Sequence, residues 1–171
     1  MRHVLKFAAP LAVAGGMAGA AHAGELQLSI EIPKLAAAEY HKPYVAIWIE
    51  DGDHKVAANL AVWYDIDNKE GGEKWLKDVR QWWRRTGREL KLPADGLSSP
   101  TKPPGVNKVT FKTDAGSLAS LKPGSYTLMV EAAREVGGKE LVEIPFTLGA
   151  DATLTATGKT ELGAITLKLT Q

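Results

Sequence analysis

The sequence contains no cysteine. Disulfide staples, thiolate metal centres and thiol nucleophiles are therefore excluded, and the fold must hold by packing alone. Beyond residue 23 there is no apolar run of the roughly 20 residues a spanning helix needs, so no direct membrane insertion is expected. An excess of either charge is missing as well, since 21 Lys and Arg stand against 20 Asp and Glu. That balance gives no electrostatic reason to expect nucleic acid or an anionic membrane as partner. Histidine is scarce: beyond residue 23 only His41 and His54 occur, and neither belongs to an H-x-x-x-H or H-E-x-x-H pair. Asp65-x-Asp67-x-Lys69 opens like a calcium loop, but Lys69 stands where an acceptor is needed and Gly71 comes one place late. With Asp51, Asp53 and Glu70 these residues read as solvated turn carboxylates, so no metal site is expected. The G-x-S-x-G elbow is absent too, and no carboxylate pair is singled out as an acid/base couple, so no catalytic residues are assigned.

What is there begins with a leader. Arg2, His3 and Lys6 precede an apolar run from Phe7 to Ala21, which ends in Ala21-His22-Ala23. A basic start, a short apolar stretch and small residues at −3 and −1 form the pattern of a cleaved secretory signal peptide. The expected division is a signal peptide over 1–23 and a single domain over 24–171, located in the periplasm. Removing the leader takes Lys plus Arg from 21 to 19 against 20 acidic residues, a net charge of about −1.

The remaining chain alternates. Leu26, Leu28, Ile30 and Ile32 interleave with Glu25, Gln27, Ser29 and Glu31, the period of a strand with one buried face. Pro43 to Glu50 is apolar on both faces, as in a central strand. Asp51-Gly52-Asp53 turns into a return strand over Leu60 to Tyr64. Further strands are expected over Val106–Thr113, Tyr126–Ala133, Lys139–Leu148 and Gly163–Thr170, the middle two forming a hairpin through Gly137-Gly138. Leu92 to Gly105, rich in Pro and Gly, reads as an irregular loop. Seven or so short strands point to a mainly β protein, an immunoglobulin- or fibronectin-like β-sandwich.

One segment changes period. Over about 72–86, Trp75, Val79, Trp82 and Thr86 share one helical face and charged residues fill the remainder, which predicts a single amphipathic helix inserted in the sandwich. Trp75 and Trp82 are expected to pack on the sheet. Adjacent Trp82 and Trp83 cannot both face inward, so one indole, with Arg84 and Arg85 beside it, is left to meet a planar ring and a phosphate.

The loop residues Asp95-Gly96-Leu97-Ser98-Ser99-Pro100-Thr101 resemble the acceptor sequence for covalent attachment of FMN, in which a periplasmic flavin transferase joins the FMN phosphate to the last threonine hydroxyl. Pro100 departs from that pattern, which has Ala there; proline fixes its own φ and restricts Ser99. Tyr40–Glu50, Leu60–Trp63, Lys74–Arg84 and Pro123–Gly138, taken with this loop, resemble an uncharacterised bacterial family of predicted periplasmic proteins, often encoded beside PepSY-type membrane proteins and FAD:protein FMN transferases. The resemblance implies FMN on Thr101, with Asp95, Ser98 and Ser99 in the recognised loop. On that reading Trp82 or Trp83 and nearby arginines are expected to shelter the ring, Trp83 and Arg84 being the residues singled out. It also implies electron exchange with a PepSY-type membrane protein. The alternative is a cofactor-free interaction module that binds through Trp83 and the His41–Tyr44 region.

Overall fold

Strand β1 (Glu25–Ile32) shows how directly alternation becomes architecture: Leu26, Leu28, Ile30 and Ile32 are buried and the residues between them are not. The computed structural model describes residues 24–36, 39–68 and 71–171. The expected leader, 1–23, and Lys69 and Glu70 of the acidic turn lie outside the described residues.

The remaining strands are β2 (Tyr44–Glu50), β3 (Val56–Tyr64), β4 (Ser98–Pro100), β5 (Gly105–Lys112), β6 (Gly124–Ala133), β7 (Lys139–Leu148), β8 (Ala152–Thr157) and β9 (Ala164–Thr170). They form a four-stranded sheet in the order β5-β1-β9-β8 and a five-stranded sheet in the order β4-β3-β2-β6-β7. The protein is thus a mainly β, two-sheet sandwich. Between the sheets lies a core of aliphatic side chains such as Leu28, Ile47, Val130, Ile144 and Leu167, joined by Trp63. Each fully buried side chain of this kind contributes about 1.5–3 kcal/mol relative to exposure.

Two elements depart from the sequence reading. β8 alternates Ala152, Leu154 and Ala156 with Thr, and two of its three inward side chains are a single methyl, so its periodic signal is weak. The stretch read as an irregular loop holds β4, which pairs in parallel with β3 through Val62↔Ser98, Trp63↔Ser99 and Tyr64↔Pro100. Proline is tolerated there because β4 is an edge. The flanking residues turn their backbones to β3, with Val62 N–H donating to Leu97 C=O and Thr101 N–H to Tyr64 C=O, so by alternation the donor that Pro100 lacks falls on the open side.

The helical segment is broken rather than continuous. A 3-10 helix runs from Glu73 to Asp78 and a short helix α1 from Arg80 to Arg85, divided at Val79 (φ −78°, ψ 74°). With three residues per turn in the first piece, the inward positions become Leu76, Val79 and Trp82. Trp75 therefore turns outward and is 39% exposed, contrary to the single-helix expectation that it packs on the sheet.

This segment covers the outer face of the five-stranded sheet and makes a second core. Trp48, Val62, Tyr64 and Met129 from the strands meet Leu76, Val79 and Trp82, with Trp83 and Leu97 partly buried at its margin. Polar groups orient the cover. The buried Glu131 carboxylate on β6 accepts N–H bonds from Gln81 and Trp82 (2.9–3.0 Å), satisfying the free donors at the start of α1. Burial pushes that carboxyl up from its ordinary value, against the downward pull of these N–H groups and of Arg84. Trp82 Nε1–H donates to Asn59 (2.9 Å), and Trp48 Nε1–H to buried Glu50 (2.8 Å), which also holds Arg85 Nε at 3.1 Å. Gly87 must lack a side chain, since a Cβ would stand 2.6 Å from the Trp82 ring.

Candidate functional site

The registers gather several chain segments at one end of the five-stranded sheet. Tyr44 begins β2 opposite Ala133 at the end of β6, and Tyr64 ends β3 beside Pro100. The segment entering β2, the residues leaving β6, and the outer side of the 3-10 helix therefore converge there. Between them is a half-open cavity of about 310 Å³, whose walls include Tyr40, His41, Lys42, Tyr44, Trp75, Thr101 and Arg134. Its size is at the lower end of small-molecule sites, which run from about 300 to 1,000 Å³.

Its walls differ in rigidity. Tyr44 is fixed, its hydroxyl donating to Gly72 C=O at 3.0 Å and its ring meeting Tyr64 edge to face at 6.3 Å. Arg134 is held by Glu161 through Nε–Oε2 at 2.9 Å, a pair almost wholly buried, and Glu161 also accepts Gly138 N–H. That hydrogen bond raises the Arg134 pKa further, so the guanidinium stays charged. His41 lies between Glu39 (3.3 Å) and Glu135 (3.5 Å).

Tyr40 is different, because its hydroxyl is sealed from solvent and has no hydrogen-bond partner. Burial pushes its pKa up, with the Arg134 charge pulling against it, so the group is a neutral O–H donor. A buried hydroxyl without a partner costs free energy, and a ligand acceptor in the cavity would remove that cost. Trp75 presents its ring outward with Lys74 and Lys77 ammonium groups 5.2 and 5.8 Å from the ring centre. Such contacts are weak at exposed sites and yield readily to a planar ring.

The residues singled out in the sequence divide. Thr101 lines the cavity. Ser98 has a structural task, its Oγ accepting Ala94 N–H at 3.1 Å and closing the turn before β4. Ser99 pairs with Trp63, and Asp95 is exposed on the turn, beside Gly96 at φ +73°. Trp83 packs against the second core, its ring 6.5 Å from that of Trp82. Arg84 bonds within its own helix, to Arg80 C=O and Gln81. Neither Trp83 nor Arg84 lines the cavity at Thr101. Sequence reasoning missed Tyr40, Arg134 and the outward Trp75. The first two stand at strand ends that only the β2–β6 register joins, and the third depends on the 3-10 geometry. His41 and His54, weighed as metal ligands, stand at opposite ends of β2, and no group of three or more His, Cys, Asp or Glu suited to a metal occurs among the described residues.

Fold and site together define a two-sheet β-sandwich with a cavity walled by aromatic side chains and charges of both signs at one end of its larger sheet. Residues 25–164 match the model of a family described as "Predicted periplasmic protein (DUF2271)", and the chain belongs to that family. No curated protein and no solved structure matches it. Among the described residues no helix is long and apolar enough to cross a membrane.

Proposed function

We propose that this chain is a covalently flavinylated electron carrier of the periplasm, with FMN joined to the Thr101 hydroxyl. One observation carries the reading. The threonine that ends the acceptor-like sequence lies in the wall of a cavity that also offers aromatic faces, a fixed guanidinium and an unpartnered buried hydroxyl. These residues fit FMN. Tyr44 and Trp75 supply flat apolar surface, Tyr40 a hydrogen-bond donor and Lys42 positive charge for the phosphodiester, while Arg134 is paired with Glu161 and Asp65, Asp78 and Glu135 add negative charge to the wall. Bound FMN would supply reversible one- and two-electron transfer.

Attachment balances as a phosphoryl transfer from FAD. The Thr101 oxygen attacks the FMN-side phosphorus, the pyrophosphate P–O bond breaks, AMP leaves, and the hydroxyl proton passes to a base of the transferase. Entry into that enzyme requires freeing Thr101 N–H from Tyr64 and peeling β4, an edge of three residues. The proposed partners are a flavin transferase and a PepSY-type membrane protein that exchanges electrons with the carrier. A covalent bond also retains the flavin on the carrier.

Co-expression with a flavin transferase and FAD, followed by intact mass measurement, tests this. The expected result is one added FMN phosphodiester in the parent and none in Thr101→Ala. An unshifted parent, with a known acceptor labelled in parallel, overturns it. That outcome leaves the cofactor-free binding module, which the half-open recess around Trp75 and residues 40–44 also favours.

A further inference from the structure

We infer that Trp75, rather than Trp83, is the stacking surface for the ring attached at Thr101, and that Tyr40 Oη donates to a polar atom of that ring. The inference rests on the flavin reading above and adds which residues of the cavity hold the ring.

Three observations carry it. Trp75 and Thr101 line the same cavity, whereas Trp83 is packed at the margin of the second core and does not. Trp75 is the one tryptophan among the exposed large hydrophobic residues of the described chain; Trp48, Trp63 and Trp82 are buried. Its exposure is imposed by the break at Val79, which keeps Leu76, Val79 and Trp82 inward and leaves the Trp75 indole with no packing partner in either core. A partly exposed indole in a cavity wall offers a stacking surface, because offset contact with a planar ring, in place of the Lys74 and Lys77 ammonium groups, removes apolar area from water on both sides. The hydroxyl of Tyr40 supplies direction. It is buried and unpartnered, and Tyr40 lines the same cavity, so a turn of the ring toward an isoalloxazine, which carries carbonyl and imine acceptors, would satisfy it.

Stacked indole quenches flavin fluorescence by electron transfer to the excited ring, so the test reads emission per attached flavin. Parent, Trp75→Ala, Trp75→Phe, Trp83→Ala and Tyr40→Phe are flavinylated by co-expression with the transferase, and loading is fixed by intact mass. Attachment in all five, with emission raised at least about fivefold in Trp75→Ala, partly in Trp75→Phe and not in Trp83→Ala, supports the inference. Tyr40→Phe is expected to shift the flavin absorption band and to leave emission within about twofold. Full attachment with equal emission in parent and Trp75→Ala overturns the stacking role while leaving Thr101 as acceptor. Relief of quenching in Trp83→Ala alone reassigns the stack to Trp83. Failure of the parent to gain mass overturns the flavin reading itself, so the two failures are distinct. Trp75→Ala removes a side chain outside both cores, and an unchanged far-ultraviolet spectrum establishes that each variant is folded.

Discussion

The two faces of the five-stranded sheet are built on different principles. Its inner face meets the other sheet through mostly aliphatic side chains, joined by Trp63 and Phe146. Its outer face is covered by a broken helical segment over Trp48, Tyr64 and Trp82, with Glu50 and Glu131 buried beside them. The inner layer needs only volume and alternation, and many aliphatic combinations would fill it. The outer layer must hold one particular short segment in one orientation, and α1 at six residues is too short to persist alone. Directional bonds to Glu131, Asn59 and Glu50 supply what aliphatic packing cannot and fix α1, while the break at Val79 turns Trp75 outward.

Substitution can break this comparison at several strengths. Trp82→Ala in the outer layer is expected to cost about 3–5 kcal/mol, and Leu167→Ala in the inner layer about 2–5 kcal/mol, by urea unfolding. If Trp82→Ala costs no more than a surface change, the outer cluster is not a core. Glu131→Ala leaves the Gln81 and Trp82 N–H groups buried without an acceptor and is expected to cost about 1–3 kcal/mol. Hydrogen exchange should quicken over residues 80–85 and stay slow in β1 and β9; uniform quickening would mean that the two layers unfold as one unit.

The pH dependence separates two carboxylates. Glu140 on β7 is partly desolvated, which raises its pKa, but N–H groups of Lys159, Thr160, Glu161 and Leu162 outweigh that and hold it below its ordinary value. Its stability is present above the unfolded value of about 4.3 and is lost as pH falls through the folded value. Glu140→Gln should therefore flatten the acid limb of the melting temperature below about pH 5. Raised Glu131 acts with the opposite sign: ionising it in the fold costs, so its contribution declines as pH rises through its folded value. The smallest effect is expected for Trp75→Ala, about 1 kcal/mol, because its ring packs in neither core although much of it is covered. A larger loss in a melt would make Trp75 structural.

The sequence by itself determined the sandwich. The period-two patterns of β1 and β7, the two-faced apolar run of β2 and the turn residues of the β2–β3 and β6–β7 hairpins are local signals, and burial follows from them whatever the partner strand. It also marked Thr101, since an acceptor-like loop is a contiguous string. The orientation of the tryptophans was settled by tertiary structure. A helical wheel assumes one period from Gly72 to Gly87, and the break at Val79 resets the phase, sending Trp75 out to the cavity while Trp83 stays against the core. Tertiary structure also made β4 an edge strand, because its pairing with β3 spans more than thirty residues of chain and carries no periodic signature of its own. Tyr40, Arg134 and Thr101 are likewise distant in sequence and adjacent only through strand register. Alternation is a property of neighbours along the chain; a cavity belongs to residues brought together across it.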